Sequence, residues 1–307
     1  MKMANFSKQH SKTTIFYLTG GIGNQLFCFA AGKAFSQMNN RNVLFDLTDA
    51  GKGFTNHGSS ILTLNLDLTL SPSKSLIFQY LTRIRNKLNR TLMRFSINNV
   101  FSSANYVSYE IGYDPKLFEM GKVKTVRGYF QSWRYFDIAG KNFLSSRTLL
   151  IHPSSWYLET CALAEESKPI FVHIRRGDYK KLSDSYGLLD TSYYVAAVTM
   201  ARKFLPNNPI WVVSDDIPEA KKLFAPILPV NTIWVDPPIC ADPVESLLLM
   251  SHGAGNIIAN STFSWWGAVL NENSTVTVAP KKWFKGMQDP KDLYPPHWLL
   301  IESSWQD

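Results

Sequence analysis

The second half of the chain alternates short apolar segments with helical segments, and this alternation restricts the fold more than any other feature. Apolar runs typical of buried strands cover residues 170–174, 210–213, 232–235, 256–259 and 275–279. Segments with a helical pattern lie between them, at 191–204, 218–224, 243–251 and 264–270. Such an order is typical of a parallel sheet with helices on both of its faces. We therefore predict an α/β fold.

The first half begins in the same way. A strand is predicted at 14–18, a helix at 25–38 and a second strand at 43–47. The turn between the first strand and the helix contains Gly21, Gly23 and Asn24. Glycines at a helix N-terminus let backbone N–H groups approach an anion. The turn matches neither the dinucleotide fingerprint nor a Walker A loop, so alone it predicts only a tight connection.

Two adjacent arginines, Arg175 and Arg176, directly follow the apolar run 170–174. Open α/β sheets bind their ligands at the carboxyl ends of the strands. A guanidinium keeps its charge and offers a planar fork of donors, which suits a phosphate or a pyrophosphate. The alternative is that both arginines are surface charges and that Asp178 caps a turn. A short motif of this kind, taken alone, favours the alternative.

Polar residues also follow other predicted strands. Asp215 follows 210–213, and the turn after 256–259 contains Asn260, Ser261, Thr262, Phe263 and Ser264. This turn offers hydroxyl and N–H donors to a phosphate or a ribose, although an ordinary helix N-cap has the same composition. The aromatic segment 127–136 is either a shelf on which sugars stack or part of the core.

Composition limits the partners and the compartment. The 307 residues contain only three cysteines, widely spaced, which indicates a reducing, cytoplasmic setting. Neither a signal peptide nor a membrane-spanning segment is predicted. The net charge of +8 favours anionic partners, and no motif indicates a nucleic acid. The basic segment 74–94 has helical spacing and suits either the surface of an anionic membrane or packing on the core.

Three motifs together carry a family resemblance. Residues 20–27, 173–179 and 260–267, in this order and spacing, resemble bacterial GDP-fucose-dependent α-1,2-fucosyltransferases. Segments 128–132 and 279–284 are similar to the same family. The resemblance implies a GT-B architecture, in which two Rossmann-like domains face each other across a cleft. We expect an acceptor-side domain at 1–166, a GDP-fucose-binding domain at 167–285, and a segment at 286–307 that returns to the first domain.

The resemblance also implies the reaction. L-fucose would move from GDP-fucose, with inversion and without a metal ion or cofactor, to the 2-hydroxyl of a terminal galactose. The acceptor would be an oligosaccharide such as a lipid-linked O-antigen unit at the inner face of the plasma membrane. Fucosyl transfer to another hydroxyl, transfer from another nucleotide sugar, and a lectin or nucleotide sensor without catalysis remain alternatives. A P-loop kinase is disfavoured because no Gly-Lys-Ser/Thr loop is present.

The expected roles follow from the charge that develops on the leaving diphosphate. No Asp-X-Asp motif follows a strand, so fixed cations and N–H donors would stabilise that charge. Arg175 would contact the β-phosphate, and His173 faces guanine or lies in the core. Asp178 is the candidate base, with Asp184 or a weak base as alternatives; its other role would be to hold Arg175 or Arg176. The remaining expected nucleotide contacts are Gly21, Gly23, Asn24, Arg176, Asp215, Asn260, Ser261, Thr262, Phe263 and Ser264.

Overall fold

The computed structural model describes residues 13–51, 60–72, 104–140 and 149–306. Its first sheet is parallel, with the strand order β2-β1-β4-β3. The elements of this half are β1 (Thr13–Gly20), α1 (Ile22–Asn39), β2 (Asn42–Ala50), β3 (Asn105–Val107), α2 (Lys116–Glu119), β4 (Thr125–Arg127) and α3 (Trp133–Ala139). A 3₁₀ turn covers Ser60–Thr63.

The second sheet has six parallel strands in the order β10-β9-β8-β5-β6-β7. Its elements are α4 (Ser155–Ser167), β5 (Ile170–Ile174), α5 (Thr191–Arg202), β6 (Ile210–Ser214), α6 (Ile217–Phe224), β7 (Ile233–Trp234), α7 (Pro243–Leu249), β8 (Gly255–Ile257), α8 (Thr262–Val269), β9 (Val276–Pro280) and β10 (Leu299–Ile301). Short 3₁₀ turns cover Asp178–Leu182 and Met250–His252. The α/β class with parallel sheets is therefore confirmed.

Strand β5 is central to the second sheet and has the predicted bounds, Ile170–Ile174. All five of its residues are buried, because β6 and β8 pair with its edges and its side chains enter two hydrophobic clusters, Ile170, Val172 and Ile174 in one and Phe171 in the other. The edge strand β7 is shorter than the predicted 232–235, since only β6 pairs with it and Ile233 stays exposed. Burial on both faces explains why the apolar run alone located β5 so well.

Helix α1 is buried over most of its surface because it packs between the first sheet and the second half of the chain. Many of its buried residues are small or aromatic, and a Cβ added at Gly32 would lie 2.6 Å from the ring of Phe45. On the other side, the rings of Phe27 and Trp265 have centroids 4.5 Å apart. A helix with apolar residues on more than one face is expected at such a central position.

The two halves approach each other closely at Gly23. A Cβ at this glycine would lie 2.5 Å from the carbonyl carbon of Thr262, so only glycine fits against the backbone there. The indole Nε1 of Trp266 donates a 2.9 Å hydrogen bond to the carbonyl oxygen of Gly23. These contacts bring the N-terminus of α1 next to the N-terminus of α8.

The segment 286–307 contacts both halves. The carbonyl oxygens of Lys291 and Asp292 accept hydrogen bonds from the backbone N–H groups of Tyr113 (3.0 Å) and Trp133 (3.1 Å), which belong to the first half. Beyond them, Leu299–Ile301 joins the second sheet as β10. The sequence analysis did not predict this strand, because three residues carry little pattern and pairing with β9 creates the strand. The division into domains and the facing arrangement across a cleft stay predictions.

Two expectations concerned membranes. The basic segment 74–94 lies outside the described residues. No helix in the described part of the chain is both long and apolar enough to cross a bilayer.

Candidate functional site

The glycine-rich turn at the end of β1 is fixed by its own hydrogen bonds. Gly20 adopts a φ of +66°, and its carbonyl oxygen accepts a 2.9 Å hydrogen bond from Nε2 of Gln25. Gly21 is the N-cap of α1, without a side-chain cap. Asn24 Oδ1 accepts a 2.9 Å hydrogen bond from Gln131 Nε2. The turn thus leaves the first N–H groups of α1 at the carboxyl edge of the first sheet, where an anion can be bound.

His173 lies near the end of β5 and is 2% exposed. Its ring stacks on Phe263, at the start of α8, with centroids 5.5 Å apart and an angle of 28°. Nδ1 has no hydrogen-bond partner in the described part of the structure. Burial, and then the charge of Arg175, lower the pKa of His173 to about 3. The imidazole is therefore neutral at physiological pH and has an unused ring nitrogen for a ligand.

The low pKa of His173 predicts acid sensitivity. The unfolded chain binds a proton at an ordinary pKa of 6.5, whereas the folded protein binds it only near 3. Stability is thus fully present above pH 6.5 and falls below it, by up to roughly 1.4 kcal/mol per pH unit. Urea denaturation between pH 7 and pH 4 should show that the free energy of unfolding of a His173→Phe variant falls less steeply with decreasing pH than that of the wild-type protein. His297→Asn, at an exposed position, should keep the wild-type slope; equal slopes for all three proteins would contradict this assignment.

Arg175 is held between two carboxylates. Its Nη2 donates to Asp178, and its Nη1 lies 3.0 Å from Oδ2 of Asp215. The guanidinium carbon lies 4.9 Å from the centre of the Tyr179 ring, and Nε is buried without a partner among the described residues. Such contacts fix the guanidinium at the carboxyl edge of the second sheet. They also show Asp178 in the alternative role, that of holding Arg175.

Asp215 organises the turn from both sides. Besides Arg175, its carboxylate accepts a 2.8 Å hydrogen bond from the backbone N–H of Arg176. A Cβ at Gly177 would lie 2.4 Å from Asp215 Oδ2, so glycine leaves the space that the carboxylate fills. Asp215 therefore positions the arginine turn, and Asp215 lies where the sequence analysis placed it, after β6.

Arg176 faces away from Arg175. The residue is 1% exposed, and its guanidinium donates to Gln306 Oε1 at 2.7 Å and to the carbonyl oxygen of Leu189 at 2.8 Å. Its guanidinium carbon lies 4.7 Å from the centre of the Phe224 ring. Arg176 was expected either to contact the nucleotide or to be structural and paired with an acid; this placement favours a structural role, with an amide and a backbone carbonyl as the partners.

Some residues of the turn 260–264 hold neighbouring loops together, and others form the N-terminus of α8. Asn260 Nδ2 donates to the carbonyl oxygens of Tyr186 (2.9 Å), Gly187 (3.2 Å) and Trp283 (3.2 Å), so this amide joins three loops. Ser264 Oγ donates to carbonyl oxygens within the turn. Ser261 caps α8 without a side-chain hydrogen bond, and Thr262 packs on Gly23. The N–H groups at the start of α8 thereby lie beside those of α1.

Two glutamines were missed by the sequence analysis. Gln25 and Gln131 are buried, and the Oε1 atom of each has no partner within the described ranges. Both lie next to Asn24, one in the same motif and the other in the segment that follows β4. Their place inside the motifs 20–27 and 128–132 was the available signal. A buried polar atom without a partner is rare in a native structure and points to a ligand or a water molecule.

The described residues contain no group of three or more His, Cys, Asp or Glu side chains arranged to hold a metal ion. What they bring together is a fixed arginine, a neutral histidine and two helix N-termini. Positive charge and N–H dipoles fixed in advance stabilise negative charge that develops on a leaving group. The arrangement is therefore suited to the departure of a diphosphate.

Comparison with known proteins agrees with this chemistry. The model of Glycosyl transferase family 11 matches residues 4–302. An alpha-1,2-colitosyltransferase of Escherichia coli is 32% identical over 300 residues, which cover 93% of this chain and 97% of that protein. The O-antigen biosynthesis glycosyltransferase WbnK of Escherichia coli is 30% identical over 296 residues, with coverages of 89% and 96%.

Solved structures of fucosyltransferases are more distant. The crystal structure of fucosyltransferase NodZ from Bradyrhizobium is 12% identical, with a TM-score of 0.47, and the match covers 84% of this chain and 92% of that one. The family match over nearly the whole chain, with two relatives at 30% identity or more, decides the assignment. The chain belongs to glycosyl transferase family 11 and is a glycosyltransferase.

Proposed function

We propose that this glycosyltransferase moves L-fucose from GDP-fucose, with inversion, to the 2-hydroxyl of a terminal galactose in an O-antigen oligosaccharide. The observation that carries the proposal is that a fixed Arg175 and a neutral His173 stacked on Phe263 lie at the carboxyl end of β5, each with a buried nitrogen that has no partner among the described residues. His173 would contact the guanine base, and Arg175 with the N–H groups of α1 and α8 would bind the diphosphate. The acceptor class is taken from WbnK, whose name places it in O-antigen biosynthesis.

Departure of the diphosphate leaves an oxocarbenium-like sugar, which the galactose hydroxyl attacks from the opposite face. Arg175 neutralises the growing charge on the β-phosphate and needs no metal ion for this. A base then accepts the proton of the hydroxyl. Asp178 is the candidate, and its bond to Arg175 gives it a second role in holding the guanidinium.

A second donor has specific support. The first relative above is named as a colitosyltransferase, and colitose is fucose without its 3-hydroxyl. A site that hydrogen-bonds the 3-hydroxyl would reject GDP-colitose by roughly 10⁴-fold, whereas a site built for colitose would discriminate weakly. Donor preference therefore separates the two candidates.

The test is a donor and acceptor screen with linkage analysis. Purified protein should release GDP from GDP-fucose only when a galactose-terminated glycan is present, and NMR of the product should show an α-1,2 linkage. Turnover should be equal in EDTA and in manganese. Preference for GDP-colitose would select the second candidate. A manganese requirement would contradict the proposed mechanism, and tight GDP binding without any transfer would indicate a binding protein.

A further inference from the structure

The segment from Gly128 to Gln131 has an unusual backbone. Phe130 is fully buried and adopts a φ of +55°, which a bulky side chain rarely does. A Cβ at Gly128 would lie 2.7 Å from the Phe130 ring, so glycine at that position leaves room for the conformation. The segment directly follows β4, at the carboxyl edge of the first sheet. Strained backbone of this kind is concentrated at binding and catalytic sites.

The side-chain oxygen of Gln131 is buried and receives no hydrogen bond from the described residues. Its Nε2 donates to Asn24 at 2.9 Å, and its backbone N–H donates to the carbonyl oxygen of Ile111 at 2.7 Å. Its Oε1 has no partner among the described residues. Exchanging the amide oxygen and nitrogen would leave Nε2 unpaired instead. The residue as a whole keeps 6% of its surface exposed, and a rotation of the amide is what would present Oε1 to a bound molecule.

The chemistry of the unpaired atom selects its ligand. A phosphate at neutral pH offers no hydrogen to donate and would be repelled by an amide oxygen. A sugar hydroxyl can donate. The side chains suited to the base and the diphosphate, His173 and Arg175, lie in or directly after β5, whereas Gln131 follows β4 and offers an acceptor atom that suits a sugar hydroxyl.

Tyr129 adds an aromatic surface at the same place. It is 45% exposed, although its neighbour Phe130 is buried. Burial raises the pKa of Tyr186, and the nearby phenol of Tyr129 and carboxylate of Asp178 raise it further. Tyr129 from the first half therefore lies close enough to Tyr186 from the second half for the two phenols to interact electrostatically. Aromatic faces beside a few hydrogen-bonding groups are typical of small-molecule sites.

We propose that Gln131 and Tyr129 form the subsite for the terminal sugar of the acceptor glycan. Gln131 Oε1 accepts a hydrogen bond from one sugar hydroxyl, and the Tyr129 ring packs against the apolar face of the sugar. This inference rests on the proposed function and deepens it, because it assigns the acceptor to named residues that no motif for nucleotide binding contains.

The experiment measures the KM of donor and acceptor separately, using the donor that the wild-type protein transfers. Gln131→Met keeps the length of the side chain and removes the amide. We expect the acceptor KM to rise roughly tenfold, while the donor KM and the affinity for GDP stay within about twofold. Tyr129→Ala should raise the acceptor KM by a similar factor, and Tyr129→Phe should resemble wild type because stacking needs no hydroxyl.

Gln37→Met is the matched control. Gln37 also donates its Nε2, at 2.9 Å to the carbonyl oxygen of Ala139, but it lies in the last turns of α1. This variant should keep the wild-type acceptor KM. Thermal unfolding shows whether each variant is folded; should Gln131→Met fail to fold, the exposed Tyr129 variants decide.

A series of deoxygalactose acceptors identifies the hydroxyl. For the wild-type protein, one of these acceptors should have a higher KM than galactose. For Gln131→Met, the same acceptor and galactose should have equal KM values, because the variant has already lost that hydrogen bond. An unchanged acceptor KM in both the Gln131 and the Tyr129 variants, or an equal rise in the donor KM, would overturn the subsite. A wild-type protein that transfers no sugar would instead remove the proposed function, and the subsite with it.

Discussion

Arg175→Ala should lower the turnover number by roughly 10²–10³-fold, because it removes the fixed charge that stabilises the departing diphosphate. The affinity for GDP should fall as well. Asp178 and Asp215 would lose their common partner, but both carboxylates keep access to water, with side chains 20% and 24% exposed. We therefore expect a destabilisation of only about 1–2 kcal/mol, and the variant should stay folded.

Arg175→Lys separates charge from geometry. Lysine supplies one point charge and cannot bridge Asp178 and Asp215 as the guanidinium fork does. Its turnover should lie between those of wild type and Arg175→Ala. Turnover is measured as GDP release at saturating acceptor, with circular dichroism as the control for folding. Near-normal turnover of Arg175→Ala would refute the assignment of Arg175 to the diphosphate.

Arg176→Met should lower the stability of the protein and change its turnover little, which is the reverse of the result expected for Arg175→Ala. The guanidinium is buried and donates to Gln306 and to the carbonyl oxygen of Leu189, so its removal leaves the buried carbonyl oxygen of Leu189 unpaired. We expect the free energy of unfolding to fall by about 2–4 kcal/mol. The chain beyond β10 is attached nearby, through a bridge between Leu189 and Trp305, and should loosen. Turnover per folded molecule should change less than tenfold, since the side chain faces away from Arg175.

Chemical denaturation and GDP titration together test this prediction. Arg202→Met is the matched control, because Arg202 also donates to backbone carbonyl oxygens, those of Leu205, Pro206 and Asn208, at a partly exposed position. Its loss of stability should be smaller. If Arg176→Met unfolded like wild type but lost its affinity for GDP, Arg176 would belong to the nucleotide site after all.

Structure that is decided by a residue's neighbours in the chain could be predicted from the sequence. Ile170–Ile174 was located because a strand buried on both faces has an uninterrupted apolar run. The glycine turn before α1 and the turn before α8 were located because glycines and helix caps are local signals. The family motifs placed Arg175 and His173 beside these turns. Their roles in binding and catalysis stay predictions that the variants above test.

Other features depended on contacts between distant parts of the chain. Strand β10 exists because three residues near the C-terminus pair with β9. Gly23 was predicted to contact the nucleotide. In the structure, the space that a Cβ at this position would fill is occupied by the backbone of Thr262. The candidate role of Gln131 depends on a contact with Asn24, more than a hundred residues earlier in the chain. Asn24 accepts a hydrogen bond from Nε2 of Gln131, which leaves Oε1 of the same amide for a ligand.

The sequence by itself determined the α/β class, the order of strands and helices along the chain, and the positions of the turns that are proposed to bind the nucleotide sugar. These follow from periodicity and from the backbone preferences of glycine and of helix caps, which act over a few residues. Only the tertiary structure decided that two adjacent arginines point in opposite directions, one to two carboxylates and the other to the C-terminal segment. The physical reason is that a side chain's direction and charge environment are set by packing partners far away in the sequence.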